Sequence, residues 1–140
     1  MSKSQITTID ARATLDQMIQ RGRFSHHPFI TDVKFPIKDG WGTFENKVFS
    51  FDAQCDAAAI IAAMKENEFL PAQPIQGVAF SATPDFSGQV ICLGASTTLN
   101  GKEQVVYVEQ RYLGLTERDS VWTGSRWRFL GVSRIMTRIP

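Results

Sequence analysis

The chain has 140 residues and 43% of them are hydrophobic, which is enough for one domain with a buried core of its own. Its formal net charge of +1 at pH 7 provides no broad attraction to nucleic acid or to an acidic membrane surface. Because no apolar run approaches the ~20 residues of a membrane span, we expect a protein that binds neither nucleic acid nor membrane.

A helix is predicted near the N-terminus. Apolar residues recur at helical spacing over Ala11–Ile19. Thr7 or Thr8 is a suitable N-cap for this helix, and Gly22 is a suitable stop. The chain then becomes a loop, because Pro28 disfavours helical geometry in the residue before it.

A hairpin is predicted to follow this loop. Phe29–Ile37 alternates loosely between apolar and polar residues, as a strand does, and Pro36 places that strand at a sheet edge. Asp39 and Gly40 then predict a turn into a second strand over Thr43–Phe51.

The middle of the chain predicts a second helix and a short strand. Asp52 is the expected N-cap of a helix over Ala53–Asn67, which is rich in alanine. Its expected buried stripe consists of Ala57, Ile60, Ile61 and Met64. Pro71 and Pro74 are expected to end this helix, and Ile75–Ala82 is predicted to be a strand.

Three long strands are predicted in the last third of the chain. Gln89–Thr98 and Glu103–Tyr112 flank Asn100 and Gly101, which together are the strongest short hairpin signal. A third strand is expected over Arg126–Ile135. These strands predict one curved antiparallel sheet with the helices gathered on one face, which is an α+β fold.

The two faces of the last predicted strand both carry apolar residues. Leu130 and Val132 share a face with Arg126, Arg128 and Arg134. A sheet that is apolar on both sides needs cover on both sides. The sequence therefore predicts helices on one face and a homodimer through the outer face, with Leu130 and Val132 in or near the contact.

The C-terminal third resembles a known family. The segments are QRYLGLTER over Gln110–Arg118 and GSRWRF over Gly124–Phe129, and the order of elements agrees over most of the chain. They resemble the end of SnoaL-like proteins, members of the nuclear transport factor two-like superfamily. The resemblance implies a cystatin-like roll, in which a cone-shaped antiparallel sheet wraps the N-terminal and central helices. It also implies a pocket at the open end of the cone and, commonly, a dimer through the outer sheet face.

The resemblance leaves the activity open, because the family includes isomerases, dehydratases, epoxide hydrolases and ligand binders without catalysis. Catalytic members generally place an Asp or His in the cavity. Here the late strands from Val90 onward contain no histidine. Asp32 is the best candidate for a general base if it faces the cavity, and otherwise it is an exposed strand carboxylate.

Two aromatic residues are candidates for pocket walls. Tyr112 and Trp127 are large amphipathic side chains that suit either a cavity lining or a packed core. Together with Asp32 they form the predicted ligand pocket for a small apolar or aromatic molecule.

No metal and no cofactor are expected. His26 and His27 are adjacent, which suits a single metal ion poorly, so both are interpreted as surface residues. Cys55 and Cys92 have neither metal-ligand spacing nor the density of a disulfide framework, and no apolar signal core follows the N-terminus. We therefore expect a cytoplasmic location.

Three functions remain open from the sequence. The first is a small-molecule binding protein of SnoaL-like type. The second is an isomerase, dehydratase or hydrolase on the same fold that uses one carboxylate as general base. The third is a non-catalytic interaction or assembly subunit whose cone is filled by its own side chains.

Overall fold

The fold is α+β, as predicted, with three helices and one eight-stranded mixed sheet in the described part of the chain. The computed structural model describes residues 5–51, 53–84, 86–119, 122 and 127–135. The helices are α1 (Leu15–Arg21), α2 (Ala57–Glu66) and α3 (Pro74–Ser81). The strands are β1 (Gln5–Ile9), β2 (Ser25–His26), β3 (Gly42–Ser50), β4 (Leu70–Pro71), β5 (Gln89–Leu99), β6 (Lys102–Glu109), β7 (Tyr112–Glu117) and β8 (Arg128–Arg134).

The strands are not arranged as a simple meander. Their order in the sheet is β1-β3-β8-β5-β6-β7-β2, and β4 pairs with β8 outside this path. The β5–β8 and β2–β7 pairs are parallel, whereas the other pairings are antiparallel. The expected antiparallel sheet is therefore mixed, because the chain returns after β7 to the middle of the sheet instead of adding β8 at its edge.

A short segment between β5 and β8 anchors the start of α3. These two strands are paired only at Ile91 and Phe129. Beyond that pair, the Ala72 amide donates to the Leu130 carbonyl (3.0 Å) and the Gly94 amide donates to the Ala72 carbonyl (2.7 Å). The main chain of Pro71 and Ala72 lies so close to Gly94 that a side chain there would clash with it. Ala72 thus fixes the segment from which α3 begins.

Helices cover both faces of the sheet. Apolar residues of α1 and α3 form one buried cluster with alternate residues of the central strands, such as Val90 and Val106. Apolar residues of α2 form a second buried cluster with the intervening residues of the same strands, such as Ile91 and Val105. Because successive strand side chains point to opposite faces, these clusters lie on opposite sides of the sheet. The predicted placement of all helices on one face is wrong.

The face predicted for dimerisation lies inside the molecule. Leu130 and Val132 are 0% and 4% exposed, and both belong to the buried cluster that contains α1 and α3. Their apolar character is therefore accounted for by packing within one chain. The prediction that they contact a second copy is wrong, because helices cover both sides of the sheet.

The third helix replaces a predicted strand. Residues 75–82 were predicted as a strand, but Pro74–Ser81 is helical and most of its residues are buried. The Gln76 side chain accepts a hydrogen bond from the Gln73 amide (2.8 Å) at the start of the helix, and Pro74 occupies the first turn, where its missing amide costs nothing. A helix that is apolar on most sides is buried on most sides. The apolar run of this segment is short and shows no clear period, so the sequence pattern does not distinguish a helix from a strand.

The N-terminal segment also differs from its prediction. Gln5–Ile9 is strand β1, and the helix starts later, with Thr14 as its N-cap instead of Thr7 or Thr8. The predicted stop at Gly22 is confirmed. The β-branched residues of β1 favour a strand, and the helix needs the Thr14–Gln17 capping box to begin.

Only one strand of the predicted second hairpin forms. β3 agrees with the predicted Thr43–Phe51, and it pairs with β1 and β8. Residues 29–37 form turns in place of a strand, for example through the bond from the Phe35 amide to the Thr31 carbonyl (2.9 Å). Pro28 and Pro36 bracket this segment and remove two amide donors that a ladder would need.

The predicted second helix is confirmed in a shorter form. α2 begins after Asp56, whose carboxylate accepts a bond from the Ala59 amide (2.9 Å), and the predicted cap Asp52 lies outside the described residues. Ile60 and Met64 are fully buried as expected, whereas Ile61 is only partly buried.

The predicted hairpin at Asn100 and Gly101 is confirmed. Both residues have positive φ, 54° and 78°, and Leu99 pairs with Lys102. The next strand ends earlier than predicted, because a turn at Gln110 and Arg111 separates β6 from β7. Of the predicted last strand, 128–134 is confirmed, and Arg126 lies outside the described residues.

The hairpin turn gives a first prediction. Gly101→Val should lower the free energy of unfolding by ~1 kcal/mol or more, because a β-branched residue disfavours positive φ. A Cβ at Gly101 would meet no atom within 4 Å, so the loss would be conformational and not steric. Gly101→Asn is the matched control, since asparagine tolerates this conformation. Equal urea midpoints for the Val variant and the unmodified protein would contradict the turn assignment.

The approach of α3 to the sheet gives a second prediction. A Cβ on Gly77 would lie 2.5 Å from the Cys92 sulfur and 3.1 Å from Val108 Cγ2. Gly→Ala usually stabilises a helix, but Gly77→Ala should destabilise this protein by roughly 1–3 kcal/mol through overpacking. Adding Cys92→Ala to Gly77→Ala should recover part of that loss, because it removes the sulfur. Strictly additive effects in the urea double-mutant cycle would refute the close contact.

Candidate binding cleft between α1 and α3

Asp32 holds the start of α1. Its carboxylate accepts hydrogen bonds from the Leu15 amide (2.7 Å) and the Asp16 amide (3.3 Å). The first amides of a helix have no partner within the helix, so Asp32 satisfies two of them from a distant loop. Its position is on the α1 side of the sheet, in the turns that replace the predicted strand.

Asp16 lies close to the Asp32 carboxylate, which affects the pKa of Asp16. Desolvation first, and then the hydrogen bond and the negative charge of Asp32, raise the pKa of Asp16 above its ordinary value. The charged form of Asp16 is therefore disfavoured in the folded state.

Tyr112 and Trp127 lie on the other side of the sheet. The Tyr112 ring is 41% exposed and its centroid lies 6.1 Å from that of Tyr107. Tyr107 and Trp127 are partly buried and pack against the cluster that contains α2. Since Asp32 binds α1 on the opposite face, the sheet separates it from both aromatic residues. The structure does not bring the three predicted pocket residues together.

A mainly apolar cleft of about 360 Å³ lies where α1, α3 and β1 meet. Ala79 and Ala82 on α3 are small, and space remains between them and Met18 on α1. Ala79 and Met18 are each only partly buried, so their side chains border this space without filling it. The residues that line the cleft are Thr8, Ile9, Asp10, Ala13, Met18, Arg21, Gly22, Phe24, Val78, Ala79 and Ala82.

A second cleft of about 500 Å³ adjoins the first. Gly22, Phe24 and Ala82 line both clefts, so the two share a wall. The Phe24 ring lies directly over Gly22, where any side chain would clash with it. The remaining residues that line the second cleft are Ser81, Phe86, Gln110 and Arg111.

Charged groups lie at the edges of these clefts. Asp10 accepts a hydrogen bond from the Arg12 amide (2.8 Å), which lowers the pKa of Asp10. Arg21 lines the mouth of the first cleft. Arg111 lines the second and donates a hydrogen bond to the Gly22 carbonyl, which ties the β6–β7 turn to the end of α1.

A third cleft, of about 320 Å³, is more polar. Lys38, Gln73, Ser96 and Arg118 are among the residues that line it, at the irregularity of β5 between Cys92 and Thr97. Ser96 donates to Glu103 (2.5 Å), and this bond is the main cause of the lowered pKa of Glu103. That carboxylate offsets the cations around it.

No metal centre is present among the residues that the structure describes. No group of three or more His, Cys, Asp and Glu residues there is placed to hold a metal ion. His27 Nδ1 accepts a hydrogen bond from the Phe29 amide (3.1 Å), and His26 Nδ1 lies 3.0 Å from the His27 carbonyl. Within the same residues, every helix is too short or too polar to cross a membrane.

The comparisons with known proteins add no relative. The chain matches no protein-family model, no curated protein and no solved structure. The SnoaL-like relationship therefore remains a resemblance of segments.

The sequence analysis does not predict the residues that line the cleft, although the sequence contains a signal for the start of α3, which forms one of its walls. Pro74, which suits the first position of a helix, and Gln76, which can accept a bond from the Gln73 amide, mark the start of α3. With α3 assigned as a helix, Ala79 and Ala82 fall one turn apart, and a small-residue surface would have been predicted there.

The Asp16–Asp32 pair gives a pH-dependent prediction. Because the folded pKa of Asp16 is raised, the folded state retains its proton longer than the unfolded state, so stability falls as pH rises from about 3.8 through the folded pKa. Asp16→Asn removes this effect. The stability of the variant relative to the unmodified protein should therefore be greater at pH 7 than at pH 3.

Urea midpoints at the two pH values measure this difference. Asp56→Asn is a suitable control, because Asp56 is also a carboxylate at the start of a helix, and its described side-chain hydrogen bond is to the Ala59 amide and not to a carboxylate. A difference between Asp16→Asn and the unmodified protein that is the same at pH 3 and pH 7 would contradict the coupling.

Proposed function

We propose that this protein binds a small, mainly apolar molecule in the cleft between α1 and α3. The observation that carries the proposal is the combination of size and lining of this cleft. Its volume of about 360 Å³ lies within the range of small-molecule sites, roughly 300–1,000 Å³. Its walls combine apolar side chains with a few polar groups at the rim, which is the usual composition of such sites.

The chemistry of nearby groups favours binding over acid–base catalysis. The Asp32 carboxylate already accepts two amide hydrogen bonds. The hydrogen bond from the Arg12 amide lowers the pKa of Asp10, which makes this carboxylate a weaker base than an ordinary aspartate. Cys92 is fully buried, and burial raises the pKa of its thiol to about 12, so it does not supply a thiolate nucleophile.

The proposal keeps the binding role that the SnoaL-like resemblance implies, but it moves the site. The resemblance suggested a pocket inside a cone, with Asp32, Tyr112 and Trp127 around the ligand. Here the ligand lies between two helices on one face of the sheet. Assembly through the outer sheet face forms no part of the proposal, because Leu130 and Val132 are buried within one chain.

A fluorescence titration tests the site. N-phenyl-1-naphthylamine is an uncharged apolar probe whose emission rises when it leaves water, and it should bind the unmodified protein saturably. Ala79→Phe should weaken this binding by about tenfold or more, because the ring would occupy the cleft. Ala79 is only partly buried, so the new side chain has the cleft to enter without displacing the core.

Ala62→Phe is the matched control for this titration. Ala62 is exposed on α2, on the opposite face of the sheet, and the change has the same helix propensity cost. Its probe affinity should equal that of the unmodified protein. Absence of saturable binding, or equal weakening by both substitutions, would remove the proposed function.

A further inference from the structure

We infer that the molecule bound between α1 and α3 is an amphipathic carboxylate whose charged end reaches Arg111. The apolar part lies in the 360 Å³ cleft, and the carboxylate lies in the adjoining 500 Å³ cleft. This inference rests on the proposed function and adds the chemical class of the ligand. Three features carry it: the continuity of the clefts, the fixed position of Arg111, and the local charge.

The two clefts form one path for an extended ligand. Gly22, Phe24 and Ala82 line both, so the two clefts meet at these residues and an extended ligand would pass over them. The aromatic ring of Phe24 borders the passage, and Phe86 continues an apolar wall into the second cleft. A chain leaving the first cleft thus meets apolar surface before it meets polar groups.

The polar groups at the far end are held in place. Gln110 and Arg111 form the tight turn between β6 and β7, and Gln110 has φ of 52°. The Arg111 guanidinium is fixed further by the hydrogen bond from its Nη1 to the Gly22 carbonyl. That bond uses one N–H of a group that carries several, so other donors remain on the guanidinium. A positioned guanidinium suits the planar, two-oxygen shape of a carboxylate.

The charge around Arg111 favours an anion. None of the described residues that line the second cleft is acidic. Glu109 lies near Tyr107 on the α2 side of the sheet, where desolvation and then the charges of Tyr112 and Glu109 raise the pKa of Tyr107. In the lining of the first cleft the positive charge of Arg21 is offset by Asp10, so the unbalanced positive charge is that of Arg111. Since Arg111 is the one cation among the described lining residues of the second cleft, a singly charged head group matches it better than a doubly charged phosphate.

A competition titration with two probes of equal length tests the inference. Decanoate and decan-1-ol differ only in the charged end, and each is used to displace N-phenyl-1-naphthylamine at pH 7. Decanoate should bind the unmodified protein about tenfold or more tightly than the alcohol, as a charge-assisted bidentate contact does.

Variants at the arginines assign the contact. Arg111→Gln should remove the preference for decanoate by weakening decanoate much more than decan-1-ol, and direct titration of the same variant with N-phenyl-1-naphthylamine reports whether the first cleft is intact. Arg111→Lys should keep part of the preference, because it retains the charge and loses the planar fork. Arg23→Gln is the matched control: Arg23 is exposed next to Gly22 but lines neither cleft, and its loss should leave the preference unchanged.

The outcomes separate this inference from the proposed function. Equal affinity of the unmodified protein for decanoate and decan-1-ol would overturn the inference that the ligand is a carboxylate. Binding of the alcohol would in that case still support the proposed function of the cleft. A preference that disappears in Arg21→Gln and persists in Arg111→Gln would overturn the assigned position of the carboxylate. If neither compound displaces the probe from a protein that binds it, the elongated ligand is excluded; if the probe itself does not bind, the proposed function fails first.

Discussion

At Gly77, α3 approaches the sheet more closely than a residue with a side chain would allow. Gly77 lies against Cys92 and Val108, where a methyl group would not fit without a shift of these side chains. α3 can therefore lie deep in the molecule, in contact with β1, β5 and β6. α1 packs on α3 in turn. The cleft at the ends of these two helices exists because α3 is held at this depth and α1 rests upon it.

Features encoded by neighbouring residues were predictable, and features that depend on distant contacts were not. Asn100 and Gly101 specify a turn by their own backbone preferences, so the hairpin was found. α3 was assigned as a strand because its apolar run is short and suits either period, and only burial on most sides makes a helix of it. The central position of β8 depends on pairing with β3 and β5, which no local pattern specifies.

The candidate site was missed for the same physical reason. Its walls come from β1, α1, α3 and the loop with Phe24, segments that are separated by up to about half of the chain. Asp32 is a candidate general base from the sequence because it lies on a predicted strand, but its role depends on amides of α1 that lie far away in sequence. A polar side chain that satisfies a helix terminus is indistinguishable from a catalytic one until its partners are known.

The distribution of small residues on α3 explains why the open space lies outside the sheet. On the sheet side, Gly77 lets the helix lie directly against Cys92 and Val108, so no space is left between helix and strands at that point. On the α1 side, Ala79 and Ala82 are also small. Here Met18 of α1 faces them across the cleft, and the two surfaces do not close together. A small side chain on α3 closes the interface with the sheet, because the backbone of α3 can approach the strands there. It opens the other because the position of α1 is already set by its packing on α3 and by the bonds of its first turn to Asp32.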